Sequence, residues 1–141
     1  MAKRIGCVIA VFLLCVLGMN TASASKGTEI SVQYTHVYQI QVSLSIDSGV
    51  AVCSGRAASR IANGNTKASL TLQKREIGTT SWKSVCTWSE IASGKKTAIL
   101  YEKRNVNSGY EYRLKMKCTV SDSEGVILET ATKYSSIRTV E

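Results

Sequence analysis

The run YEYRLKMKCTV, residues 110–120, alternates without a break: Tyr110, Tyr112, Leu114, Met116, Cys118 and Val120 fall on one side, Glu111, Arg113, Lys115, Lys117 and Thr119 on the other. A period of two over that length makes one face of an extended strand apolar and the other polar, which a helix cannot do. A second run, YQIQVSLSI at residues 38–46, does the same, with Tyr38, Ile40, Val42, Leu44 and Ile46 in one phase and Gln39, Gln41, Ser43 and Ser45 in the other. Two strands of this kind must each bury a face against another sheet, so the chain is expected to be all-β.

The remainder is punctuated to match. Asp47-Ser48-Gly49 ends the first run, and Ala51, Cys53, Gly55 and Ala57 follow in one phase. Small inward residues allow close approach of an opposing sheet. Asn63-Gly64-Asn65 leads into Ala68, Leu70 and Leu72; Ala92-Ser93-Gly94 leads into a strand with Thr97, Ile99 and Tyr101 on one side and Ala98 and Leu100 on the other. Residues 105–109, NVNSG, precede the long strand, and residues 126–134 supply the last. About seven strands separated by Gly, Asn, Asp and Ser turns, with no helical period, predict an immunoglobulin or fibronectin-III-like antiparallel β-sandwich, with a small barrel as the alternative.

The N-terminus reads differently. MAKRIGCVIAVFLLCVLGMNTASA has two basic residues, an apolar run and a small-residue site at Ala22-Ser23-Ala24, the layout of a secretory signal peptide. Residues 1–24 are expected to be cleaved, leaving a single domain of residues 25–141 that is secreted or extracellular, with association at the cell surface as an open alternative. The chain carries 18 Lys and Arg against 10 Asp and Glu, and only Lys3 and Arg4 depart with the leader. The basic excess suits an anionic cell-envelope polymer, a glycan or another protein as partner. No basic block is dense enough for nucleic acid, and no segment after the leader is apolar enough to span a membrane.

Cys53, Cys86 and Cys118 remain after cleavage, spaced unlike a metal knuckle, and three thiols allow at most one internal bridge. Cys53 on the second strand and Cys118 on the long strand would be the B and F strands of an immunoglobulin-like order, so a Cys53–Cys118 disulfide with Cys86 free is the first expectation. Cys53–Cys86 and Cys86–Cys118 stay open, because sequence does not determine connectivity. His36 is the single histidine and stands in the polar phase. With no metal-ligand cluster, no cofactor motif and no base in phase with Cys86, no enzyme activity, metal or cofactor is expected.

In TSWKSVCTW, residues 80–88, Trp82, Ser84, Cys86 and Trp88 share a phase, while Lys83 and Val85 share the other. That predicts both indoles to be mainly core residues of a middle strand, with Lys83 in water. Trp82, Trp88, Tyr110 and Tyr112 as a sugar-stacking platform is the competing reading. The comb Arg113, Lys115 and Lys117, repeating about every 6.6 Å on the polar face, together with Trp88 beside the loop at residues 89–94, is the candidate binding set.

The run LQKREIGTTSWKSVCTW followed by GYEYRLKMKCTV resembles a family of small secreted β-sandwich proteins of Gram-positive, often gut-dwelling, bacteria. The resemblance implies a leader, a sandwich and structural roles for Gly78, Trp82, Val85, Trp88, Gly109, Tyr110, Tyr112 and Arg113, in a family without an assigned activity. A non-catalytic binding or surface-interaction module is the expected function; a structural or self-associating envelope protein without a small-molecule ligand is the alternative.

Overall fold

A computed structural model describes residues 33–141; the expected leader at residues 1–24 and the cleavage expected after Ala24 lie outside the described residues. Eight strands follow one another: β1 Val37–Asp47, β2 Val50–Ser59, β3 Gly64–Glu76, β4 Lys83–Ser93, β5 Ala98–Asn105, β6 Tyr110–Asp122, β7 Ile127–Tyr134 and β8 Arg138–Val140. They form two antiparallel sheets, β1-β2-β5 and β4-β3-β6-β7, with β8 also paired to β6. In the constant-type immunoglobulin order the fourth strand would join the first sheet. Here β4 stays beside β3, which gives the fibronectin-III arrangement of three strands against four, and β2 and β6 take the B and F positions.

The alternation of β6 survives intact: Tyr112, Leu114, Met116, Cys118 and Val120 are buried, against Leu70, Leu72, Ala51, Cys53 and Ala57 from the neighbouring strand and the opposite sheet. The small phase of β2 has the purpose its composition suggests. A Cβ on Gly55 would lie 2.9 Å from Met116 Sδ and 3.2 Å from Leu70 Cδ1, so the absence of a side chain there lets the two sheets approach closely. The adjoining Ser59 and Thr66 are polar and wholly buried, and they satisfy each other through a 2.7 Å hydrogen bond.

Tyr112 fixes the turn before β6. Its hydroxyl accepts the Asn107 N–H at 3.0 Å and donates to the Asn107 carbonyl at 3.1 Å, so one side chain satisfies both backbone groups of a loop residue. This is the tyrosine corner of immunoglobulin-like sandwiches. Gly109, at φ 84°, supplies the left-handed residue that swings the chain from that loop into the strand.

Three sequence expectations change. The ladder between β1 and β2 is irregular between Val37 and Gln39, so Tyr38 leaves the inward phase and stands 51 % exposed, while Val37 is buried in its place. Residues 126–134 do not end the fold: β7 is followed by β8, and the two occupy successive lengths of the same β6 edge. Ser135 bridges the gap between them, its N–H donating to the Leu114 carbonyl and its hydroxyl accepting the Leu114 N–H at 2.8 Å.

The third concerns Cys53, Cys86 and Cys118, the cysteines among the described residues, each of which is a free thiol. Gly55 lies against Met116, and Ser59 bonds Thr66, whose β6 partner is Val120. By the same register Cys53 stands level with Leu114, four residues from Cys118. That is about 13 Å along a strand, too far for a bridge.

Candidate functional site

The nine residues 80–88 are split by a bulge. Leu72 pairs with Cys86, but Gln73 pairs with Ser84, so Val85 is the extra residue on β4. An extra residue in one strand inverts the facing of everything beyond it. On the turn-distal side Cys86 and Trp88 keep the phase of Leu72 and Leu70 and pack at the margin of the core. On the other side Trp82 emerges on the solvent face of the second sheet.

There Trp82 meets cations. The Arg75 guanidinium lies 4.5 Å and the Arg113 guanidinium 4.2 Å from its ring, and Arg113 is also 4.4 Å from the ring of Tyr134. The order along the face is Arg75, Trp82, Arg113, Tyr134, a ladder of alternating charge and π-cloud. Its rungs are set by register: Arg75 is opposite Glu111, Gln73 opposite Arg113, and Tyr134 opposite Lys115. Arg75 Nε donates to Glu111 Oε2 at 2.6 Å, and Arg113 Nε donates to Gln73 Oε1 at 2.9 Å.

The two arginines differ in charge balance. Arg75 is neutralised by Glu111, the sole ion pair among the described residues. Arg113 has no carboxylate partner there, and its Nε bond to Gln73 is the only hydrogen bond it makes among them. Its terminal nitrogens are therefore free to donate while its plane is clamped between two rings. Lys115 and Lys117 continue the comb on the same face, with Lys67 on β3 paired to Thr119 beside them. Hydroxyl pairs lie beside them on that face, Thr71 and Thr87 bonded at 2.9 Å and Ser69 and Ser89 at 3.0 Å, with the exposed Ile91 opposite Lys67.

Of the candidate set, the structure brings Arg113, Lys115 and Lys117 together and leaves Trp88 on the opposite, inward face. Trp82 takes the place Trp88 was given. The reversal follows from the bulge at Val85, which a reading of pure alternation passes over. Tyr110 and Tyr112 make an edge-to-face pair at 6.3 Å on the inward side and are no part of the outer ladder.

The three thiols among the described residues are all raised above their ordinary value. Burial pushes Cys53 up to about 11, helped by Cys86 and Glu102, and burial pushes Cys118 to about 11, helped by Glu129. Burial also raises Cys86, with Arg104 opposing and Glu102 adding to the rise. His36 stands just before β1, where Glu129 gathers the backbone N–H groups of Thr35, His36 and Val37 at 2.9, 2.7 and 2.7 Å. Burial alone would raise the Glu129 carboxyl, but those three bonds and the charge of His36 outweigh it and hold it below the ordinary value. Among the described residues no three His, Cys, Asp or Glu gather as metal ligands, and no helix is long and apolar enough to cross a membrane.

No family model matches the chain, and no curated protein matches it in sequence. Among solved structures it is similar to the solution structure of CsgH from R. palustris, at 16 % identity and a TM-score of 0.37, over 70 % of this chain and 88 % of that one.

Proposed function

We propose that this protein is a secreted, non-catalytic binding module that holds an anionic glycan of a cell surface against the outer face of its β4-β3-β6-β7 sheet. The observation that carries this reading is the Arg113 guanidinium, set between the Trp82 and Tyr134 rings at 4.2 and 4.4 Å with no carboxylate to neutralise it. A cation already held in one orientation loses little freedom on meeting an anion, so more of the contact energy appears as affinity. Lys115 and Lys117 extend the charge along the strand, and the serine and threonine hydroxyls offer hydrogen bonds to sugar hydroxyls. The raised thiols and the absence of a base beside them favour binding over chemistry.

The self-associating alternative needs an open strand edge. At β1 part of that edge is engaged by side chains, since Glu129 takes three N–H groups, Lys133 Nζ donates to the Ile40 carbonyl at 3.4 Å and Arg138 Nε donates to the Leu44 carbonyl at 3.1 Å, whereas β4 and β5 also end their sheets.

The test is retention on immobilised polygalacturonate and on its uncharged methyl ester, eluted with salt. The protein is expected to bind the acid form alone, and Arg113→Gln and the pair Lys115→Gln, Lys117→Gln to elute at lower salt. Equal retention of wild type and both variants would overturn the reading.

A further inference from the structure

The bulge at Val85 has a second result on the inward side of the sheet. It places Lys83, the first residue of β4, directly opposite Lys74 on β3. Like charges facing each other across a hairpin repel and destabilise it. Neither lysine has a carboxylate within ion-pair distance among the described residues, where Arg75–Glu111 is the one pair formed. Lys74 finds partial relief over the Tyr110 ring, 4.3 Å from its centroid; Lys83 is exposed.

Both lysines line a groove of about 410 Å³ at the turn between β3 and β4, together with Arg75, Glu76, Thr79, Ser81 and Tyr110. With Arg75 paired to Glu111, the two lysines against the single carboxylate of Glu76 leave the lining positive. Thr79 donates its hydroxyl to the Glu76 carbonyl at 2.8 Å, which holds the turn in place, while the Ser81 hydroxyl makes no hydrogen bond to another described residue. The size falls within the range of small-molecule sites, well above what one ion needs. An aromatic wall, the Ser81 hydroxyl and two lysines at paired positions describe a receptor for a polar ring that carries an anion.

We propose that this groove binds one acidic sugar unit, its carboxylate bridging Lys74 and Lys83. The inference rests on the glycan reading above and adds a defined subsite to it. Arg75 joins the two regions, since it lines the groove and also stacks on Trp82. A chain lying on the outer ladder would then turn over the β3–β4 end and seat a residue between the lysines. Lysine ammonium groups suit this task as mobile point charges that close on an anion from two sides. The repulsion between them in the free protein is relieved when the anion enters.

Two measurements on the whole folded protein test this. In the first, amide and side-chain NMR shifts are followed on adding galacturonate, its methyl ester, or inorganic phosphate. Galacturonate is expected to move Lys74, Lys83, Ser81 and Tyr110 together, the ester not at all, and Lys83→Gln to weaken galacturonate binding roughly tenfold or more. If phosphate moves the same residues as strongly as galacturonate, the groove is an oxyanion site without a sugar, and the proposal is overturned. In the second, Lys83→Glu replaces a repelling pair with an attracting one, so Tm is expected to rise by a few degrees in the free protein while galacturonate binding is lost. A Lys83→Glu protein with unchanged or lowered Tm, or with retained binding, contradicts the proposal. Failure of the outer-face reading is separable: it would leave the monosaccharide shifts in place while Arg113→Gln changed nothing on polymer columns.

Discussion

Trp82 and Trp88 lie six residues apart in one hairpin and face opposite sides of the same sheet. Trp88 is opposite Leu70 and packs on the core, whereas Trp82 sits between Arg75 and Arg113 on the solvent side. One extra residue, Val85, separates the two environments. Deleting Val85 should restore simple alternation, turn Trp82 inward and free Arg113. The expected result is loss of polyanion retention in a protein that still melts cooperatively; retention equal to wild type would show that the ladder does not depend on the bulge.

The tyrosine corner gives a stability prediction. Tyr112→Phe keeps the buried ring and removes both bonds to Asn107, leaving a backbone N–H and C=O without their partner. A cost of about 1–3 kcal/mol is expected in urea unfolding. Leu114→Ala, by contrast, removes a fully buried side chain and should cost about 2–5 kcal/mol. A Tyr112→Phe loss under about 0.3 kcal/mol would mean the hydroxyl is satisfied by water in solution.

Close approach at Gly55 gives another. Gly55→Ala places a methyl 2.9 Å from Met116 Sδ and 3.2 Å from Leu70 Cδ1, and overpacking of this kind costs about 1–3 kcal/mol. The φ of Gly55 is not in the left-handed region, so the loss is one of space and not of backbone strain. Stability of the alanine variant equal to or above wild type would show that the sheets can part without cost.

Glu129 makes stability depend on acid. Its native pKa is lowered, so its contribution is full above the unfolded carboxylate range and fades as pH falls through the native value. In Glu129→Gln that part of the acid-side fall in Tm should disappear, and the variant should be less stable than wild type at neutral pH. Parallel Tm–pH curves for the two proteins would remove Glu129 from the account of the β1 edge.

How far the sequence discloses all this depends on whether alternation holds. In β6 it holds for eleven residues, and every inward position from Tyr112 to Val120 is buried as its phase requires. The sandwich, the B and F strands and the basic comb follow from it. At Tyr38 and Val85 a bulge adds one residue and reverses the phase, and nothing in the local composition marks either place. The third miss has another origin: facing strands B and F do not settle at what height two cysteines meet, because that height is set by Gly55 packing on Met116. The tyrosine corner is not legible in the sequence either: alternation gives Tyr112 its inward phase, but the two bonds of its hydroxyl to Asn107 depend on how the preceding loop folds back.

The binding face is tested most directly by the fluorescence of Trp82 alone. In a Trp88→Phe background the remaining indole is the rung between Arg75 and Arg113. Addition of polygalacturonate is expected to change its emission and to shield it from acrylamide, with both effects reversed by salt. An emission and quenching rate unaffected by saturating polygalacturonate, in a folded protein, would contradict the assignment of this face.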